Sequence, residues 1–413
     1  MINFHHVGEK LYCEQVSLAD IARDIGTPAY VYSKASIVNS IEMLLGAFES
    51  LNIMTCFSVK SNSNLSILRL MAEKGVGADI VSGGELFRAL RAGFDPKKIM
   101  YAGVGKTPEE LRYALKSGIG MFNVESEAEL AELSDAARSI DAIAPVSLRV
   151  NPDIDAQTHD FTTTAKKENK FGIPAASALE LYKKANSLPN INPVGIDVHL
   201  GSPVLSLEPY RQALDVISGL HADLKACGIN VHTIDIGGGF GIVYHNETPF
   251  TPIQFAALMT PYVEKLKCNF IVEPGRFIVG NSAVLLTTIT YVKRTDTKLF
   301  YICDAGMNDL IRPPLYGSYH AITPVVKPVN PTQVIADVVG PICESSDFFA
   351  KDRPIELLPQ RSILAVKSAG AYGFSMSSNY NSRPRPCEVL VDGQSYSVIR
   401  KREIFDDLIR GEE

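Results

Sequence analysis

The chain has no run of lysine and arginine, no apolar stretch near the length of a membrane span and no CxxC pair. Each absence removes a class of function. Without a basic block, and with a net charge of −6, the electrostatic footprint of a nucleic-acid binder is missing. Without about 20 consecutive apolar residues there is no candidate spanning helix. The opening MINFHHVGEKLYCEQ lacks a basic segment followed by an apolar run, so no signal peptide is expected. The seven cysteines are odd in number and scattered from Cys13 to Cys387. That argues against a disulfide framework and for a reducing, cytoplasmic compartment. His5-His6 has no partners at a ligand spacing, so no metal site is expected. Internal repeats and low-complexity tracts are also missing.

What is present is an ordinary globular composition, 46% hydrophobic and 21% charged over 413 residues, long enough for two domains. From about residue 50 to 275, β-branched runs alternate with amphipathic segments. The strand candidates are IMTCFSVK (53–60), GADIV (77–81), KIMYA (98–102), GMFNV (120–124), PVSLRV (145–150), VGIDVHL (194–200), VHTIDI (231–236) and NFIVEP (269–274). Helices are expected at 65–75, 84–93, 108–118, 126–139 and 252–266, several opening at Ser, Thr or Glu and closing at Gly. Eight β/α units predict an α/β fold, a (β/α)8 TIM-like barrel. A doubly wound sheet is the alternative, although the first strand lacks its G-x-G-x-x-G opening. After residue 276 strand-like runs follow one another without regular helices, which predicts a mainly antiparallel β domain. The expected division is a barrel over 30–275 and a β domain over 1–29 and 276–413, with a strand near LYCEQV (11–16) joining the latter.

In such a barrel chemistry gathers at the C-terminal ends of the strands. Those positions hold Lys60, Asp79, His199, the GGGFG run from Gly237 to Gly241, and Glu273 followed by Gly275-Arg276. Taken singly, each has a plain structural explanation. A lysine reaches solvent, glycines make a turn, a histidine packs in a core and a glutamate sits on a rim. Together on one rim they suit an aldehyde cofactor with a phosphate tail. The lysine supplies the amine and glycine backbone cradles the anion. A carboxylate meets the ring nitrogen and an imidazole lies on the ring.

At these residues the chain resembles the pyridoxal-phosphate enzymes with the alanine-racemase-like barrel, fold type III, and within them the diaminopimelate decarboxylases. The matching text includes FSVKSNSN (57–64), GADIVSGGEL (77–86), KENKFGI (167–173), HLGS (199–202), GGGFGI (237–242) and EPGRFIVGNSAVLLT (273–287). DAGMNDLIRPPLY (304–316), GPICESSDFFAKDR (340–353) and AGAYGFSMSSNYNSRPRP (369–386) are narrower and point to the diaminopimelate enzymes.

The resemblance implies pyridoxal 5'-phosphate as cofactor, linked to Lys60, with Asp79 near the ring, His199 stacked on it and Glu273 at its nitrogen. It implies a phosphate shell from Ser202, Gly238, Gly239, Gly275, Arg276 and Tyr372. Arg276, Arg312, Tyr316 and Tyr372 would hold the substrate. Cys343 would be the proton donor and Glu344 the reader of the distal amino group, both reaching into the partner's site of a homodimer. The implied reaction is decarboxylation of meso-2,6-diaminopimelate to L-lysine, the last step of lysine biosynthesis. Paired arginines suit the distal carboxylate that lysine and ornithine lack.

The chain departs from the family at Ser61, where Ala is usual, at Pro203, where Gln is usual, and at Thr164-Ala165, where Thr-Gly is more frequent. Pro203 lacks both a side-chain amide and a backbone donor. It keeps open a decarboxylase of the same fold acting on D-lysine, D-ornithine or a siderophore or antibiotic precursor. An inactive regulatory homologue is a further alternative. It would be expected to have lost Lys60, Cys343 or a substrate arginine, and all are present.

Overall fold

The structure, a computed structural model, describes residues 3–155 and 170–412. Thr164-Ala165 and the first three residues of KENKFGI lie outside them. The chain forms two compact units. One takes Ile41–Gly241 and Thr248–Gly275; the other takes the chain up to Ser40, Ile242–Glu247 and everything from Arg276 on.

The first unit is the barrel. Its strands are β1 (Ile53–Ser58), β2 (Gly77–Ile80), β3 (Ile99–Tyr101), β4 (Met121–Val124), β5 (Ala144–Asn151), β6 (Ile191–Asp197), β7 (Thr233–Asp235) and β8 (Asn269–Val272). Each pairs in parallel with the next, and β8 returns to β1 through Phe270 opposite Ile53, which closes the ring. The closure excludes the doubly wound alternative. The helices expected from the pattern form at Leu65–Glu73, Gly83–Ala92, Pro108–Ser117, Glu127–Ser139 and Pro252–Leu266, joined by Ala175–Ser187 and Glu208–Ala226. Their starts obey capping chemistry: Thr107 with Glu110 and Thr251 with Gln254 form capping boxes.

The barrel interior is graded along its axis. Cys56, Met100, Met121, Val194 and Ile271 form one apolar cluster. Toward the C-terminal ends the buried side chains turn polar, with Asp79, Asn123, Ser147, Asp197 and Asp235. Burying that many polar groups is costly unless they bind one another or a ligand.

The second unit is mainly antiparallel, as the run of strands predicts. Ala283–Arg294 pairs antiparallel with Leu299–Cys303, Ile363–Val366 and Ala29–Ser33. Two pairings are parallel, Ala29–Ser33 with Cys387–Asp392 and Leu299–Cys303 with Gln333–Val339. The partners of Ala29–Ser33 explain why the chain to Ser40 belongs here, whereas the pattern alone began the barrel at residue 30. A small sheet of Phe4–Val7, Lys10–Cys13 and Val16–Ser17 holds the LYCEQV region. Leu11, Leu18, Val31, Leu286 and Val389 lie in its apolar core. No helix among the described residues is long and apolar enough to cross a membrane.

Candidate active site

The cluster on the barrel rim starts at Lys60, in the single 3-10 turn Val59–Ser61 that follows β1. Its Nζ donates to Asp79 Oδ2. Ser58 Oγ donates to the same oxygen at 2.6 Å, and Asp79 is fully buried. Asp79 Oδ1 has no donor among the described residues. One oxygen of Asp79 thus orients the lysine amine.

His199 follows β6. The Gly238 N–H donates to its Nδ1 at 3.3 Å, so the proton of the neutral ring belongs on Nε2. Burial, aided by the charges of Arg149 and Lys60, holds its pKa well below the usual histidine value. Its Nδ1 lies 3.6 Å from Glu273 Oε2. With a neutral ring that approach is not an ion pair.

The glycine loop after β7 answers to its protein neighbours first. A Cβ at Gly237 (φ +70°) would lie 2.5 Å from His199 Nδ1, one at Gly238 2.3 Å from the Glu273 carbonyl, and one at Gly239 (φ +99°) 2.6 Å from the Gly201 carbonyl. The loop after β6 pairs with it through Val204 N to Gly239 O at 2.7 Å, which brings Ser202 beside the glycines. Pro203 lies within this pairing and follows a cis peptide bond. Gly275 is tied to the start of the site, since a Cβ there would meet Ser58 and Ser61 at 2.9 Å.

Glu273 completes the cluster on the barrel rim. It is buried, and Oε1 has no donor among the described residues. Burial, with Asp235, Asp79 and Asp197 nearby, pushes its pKa well up, against the pull of Lys60. These residues fit pyridoxal phosphate in three respects: an amine for its aldehyde, a buried acid without a donor for its ring nitrogen, and glycine backbone for its phosphate.

The β unit carries a second constellation. Arg276 Nη1 donates to Tyr244 Oη at 2.7 Å, and the guanidinium lies 4.9 Å from the centre of the Tyr372 ring. Arg312 stands over the rings of Tyr244 and Tyr316 at 5.2 and 5.6 Å. Its Nη2 donates to Ser318 Oγ at 3.1 Å, and its Nε has no partner among the described residues. Both arginines are about 95% buried, at 4% and 5% exposure. Burial lowers the pKa of Arg312, and Arg276 adds to that. Tyr372 takes φ +55°, a conformation rare for a bulky side chain and frequent at functional sites.

Cys343 and Glu344 sit on an exposed loop of the same unit. Asp347 fixes its shape by accepting from Ile342 N at 2.6 Å and Met307 N at 2.7 Å. A Cβ at Gly340 would fall 2.4 Å from that carboxylate, so the glycine of GPICESSD is required by packing. Hydrogen bonds from the Ser346 and Tyr380 hydroxyls hold the Glu344 carboxyl below its usual pKa.

The predicted residues thus fall into two sets. Lys60, Asp79, His199, Ser202, Gly238, Gly239, Glu273 and Gly275 share the barrel rim. Arg276, Arg312, Tyr316 and Tyr372 share the β unit. Sequence reasoning missed Tyr244, which joins the two arginines; its signal was an aromatic five residues past the third glycine of GGGFG. It also missed Asp235, an acid inside an otherwise buried strand.

Comparison with known proteins is consistent across the chain. The family described as "Pyridoxal-dependent decarboxylase, pyridoxal binding domain" matches residues 34–280. The chain is 46% identical over 410 residues to a diaminopimelate decarboxylase of Pseudomonas fluorescens, covering 99% of this chain and 98% of that protein. It is also 46% identical to one of Aquifex aeolicus, over 97% of this chain and 95% of that protein. Among solved structures, diaminopimelate decarboxylase from Helicobacter pylori complexed with L-lysine aligns with a TM-score of 0.91 at 41% identity, over 95% of this chain and 98% of the other. The enzyme from M. jannaschii in complex with L-lysine aligns at 0.94 and 32% identity, over 100% and 98%.

Proposed function

The chain belongs to the pyridoxal-dependent decarboxylases, and within them to the diaminopimelate decarboxylases, and from that premise we propose that it converts meso-2,6-diaminopimelate to L-lysine and carbon dioxide. The geometric observation that carries the substrate is the buried Arg312, its Nε without a partner among the described residues, packed with Arg276 around Tyr244. A buried guanidinium with donors to spare is an anion site. The distal carboxylate of diaminopimelate is the anion that separates this substrate from lysine or ornithine.

When bound, pyridoxal phosphate would supply a protonated ring as the sink for the electron pair of the breaking carbon–carboxyl bond. Lys60 Nζ supplies the amine for its aldehyde, oriented by Asp79 Oδ2. Neutral His199 offers a ring face without placing a second positive charge beside a pyridinium. Glu273 would face the ring nitrogen. The Gly237–Gly239 loop and Ser202 take the phosphate, with Gly275, Arg276 and Tyr372. Arg276, Arg312, Tyr316 and Tyr372 hold the substrate, and the Glu344 carboxylate, kept ionised by its hydroxyl neighbours, takes the distal ammonium. Cys343 Sγ gives its proton to the α-carbon once carbon dioxide has left. In this reading Cys343 and Glu344 serve the partner's site of a homodimer, in the cytoplasm.

The test is purified protein with pyridoxal phosphate and meso-diaminopimelate, D-lysine or D-ornithine in parallel. Lysine release from diaminopimelate, faster than turnover of either single-carboxylate substrate, is expected. Cofactor binding without lysine release would sink the proposal, and faster turnover of D-lysine would overturn the role of the arginines.

A further inference from the structure

Four carboxyl groups meet inside the C-terminal end of the barrel: Asp79, Asp197, Asp235 and Glu273, each at most 3% exposed. Among the described residues the cations near them are few. Lys60 is engaged by Asp79. Arg149 is engaged by the buried Glu125 at 2.7 Å. His199 is neutral. Glu85 acts on Asp79 and Lys60 and has its own pKa raised to about 7 by burial, Tyr182 acts on Asp197, and Cys56 is a buried thiol pushed toward its protonated form by burial and by the charges of Asp235, Glu273 and Asp79. Four ionised acids cannot share so little positive charge in a buried space. At least one proton must reside among them.

The hydrogen bonds say where. Asp235 pairs with Ile271 across β7 and β8, two residues before Glu273, so the two carboxyls are diagonal neighbours on one face and compete for a proton. Asp235 already accepts twice, from Gly237 N to Oδ1 at 3.0 Å and from Asn123 Nδ2 to Oδ2 at 3.2 Å. Asn123 is itself oriented by Ser147, whose Oγ donates to Asn123 Oδ1 at 2.7 Å. That bond leaves the amide NH2 pointing at Asp235. Two donors stabilise the carboxylate form of Asp235. Glu273 Oε1 has no such donor among the described residues. Of these two neighbours Glu273 is therefore the one that holds a proton; burial and Asp235 push the pKa of Asp197 well up too, and its Oδ1 likewise has no donor among the described residues.

We propose that Asp235 is a positioning residue that keeps a proton on Glu273 in the cofactor-free barrel, so that the acid meant for the ring nitrogen is protonated before the cofactor arrives. The chain Ser147, Asn123, Asp235, Glu273 runs across β5, β4, β7 and the end of β8, so the closed ring of strands maintains it. Burial raises the pKa of both carboxyls, and the bonds from Gly237 and Asn123 pull that of Asp235 back. This inference rests on the reading of Glu273 as the ring-nitrogen partner. Asp235→Asn changes the logic with little change of shape. Its side-chain amide would donate to Glu273 and favour the carboxylate.

Two measurements test it, and neither uses turnover, so a protein inactive on diaminopimelate still gives an answer. First, infrared spectra of cofactor-free wild type at neutral pH should show a buried carboxylic-acid carbonyl band. The difference spectrum of wild type minus Glu273→Gln should contain one such component above the contribution of other buried acids such as Asp309, and Asp235→Asn should lose or strongly reduce that same component. A band unchanged in Glu273→Gln overturns the proposal and needs only that variant to fold. Second, calorimetry of pyridoxal phosphate binding in buffers of different ionisation enthalpy counts protons taken up. Contributions from Lys60 and the phosphate cancel between variants. Asp235→Asn should take up about one proton more per site than wild type. Equal uptake by the two proteins overturns the proposal.

Discussion

The side-chain oxygen of Asn381 accepts the backbone N–H of Cys343 at 2.8 Å. Asn381 sits at φ +55°, so it is a turn residue whose side chain fixes the residue proposed to return the proton. Asn381→Gly keeps the left-handed backbone accessible and removes the bond. It is expected to lower kcat by about tenfold or more through misplacement of the thiol, with a smaller change in KM and a stability loss within about 1 kcal/mol. Steady-state kinetics and a thermal melt check both. An unchanged kcat would mean that this bond does not position Cys343.

If Cys343 serves the partner's site, Lys60→Ala and Cys343→Ala mutants should complement each other. Each is inactive alone. A one-to-one mixture of exchanging homodimers carries one intact site in each mixed dimer, so about a quarter of wild-type activity should return. No recovery, with subunit exchange shown by a tag pull-down, would put Cys343 in the site of its own chain.

Arg312→Leu should separate stability from binding. Removing a buried guanidinium that lies beside another one relieves desolvation and like-charge repulsion. The ligand-free protein is expected to gain about 1 kcal/mol or to stay unchanged, while kcat/KM for diaminopimelate falls by about 100-fold. Melts without substrate, alongside kinetics, decide this. Loss of both stability and activity would make Arg312 a structural residue.

Asp309 offers a pH test in the β unit. Burial pushes its pKa from 3.8 up to about 7, against the hydrogen bond from Gly306 N at 2.9 Å. Between those values the folded protein retains a proton that the unfolded chain has lost, so this group costs stability progressively as pH rises from 3.8 to about 7. Above that the cost is constant. Asp309→Asn removes it, and Asn308 Oδ1, without a partner among the described residues, can receive the new amide. The gain of the variant over wild type should grow across this window and level off above it, as read from urea midpoints at several pH values. A gain independent of pH would show that Asp309 is ionised throughout.

Much of this was legible in the text of the chain. The eight strand runs of the barrel region sit within three residues of the observed β1 to β8, because a strand buried on both faces reads as an uninterrupted apolar stretch. Ala29–Ser33 was passed over for a physical reason. Five consecutive buried residues between two helices, Leu18–Ile25 and Lys34–Phe48, look the same whether they belong to a barrel or to a sheet assembled from residues more than 250 positions away. Tyr244 was passed over because cation–ring contacts carry no sequence period.

The sequence by itself determined the alternation that makes a barrel, the strand-end placement of Lys60, His199 and Glu273, and the motifs that mark the family. Those depend on spacing within a strand or loop, which the covalent chain sets. Only the tertiary structure decided that four acids converge within the barrel while Arg149 is spent on Glu125. Only it showed that Asp235 accepts two hydrogen bonds and Glu273 Oε1 none, and that Arg276 and Arg312 meet at Tyr244. Ionisation and hydrogen-bond partnership depend on which groups face each other across strands far apart in the chain, and that is a property of closure, not of order along the chain.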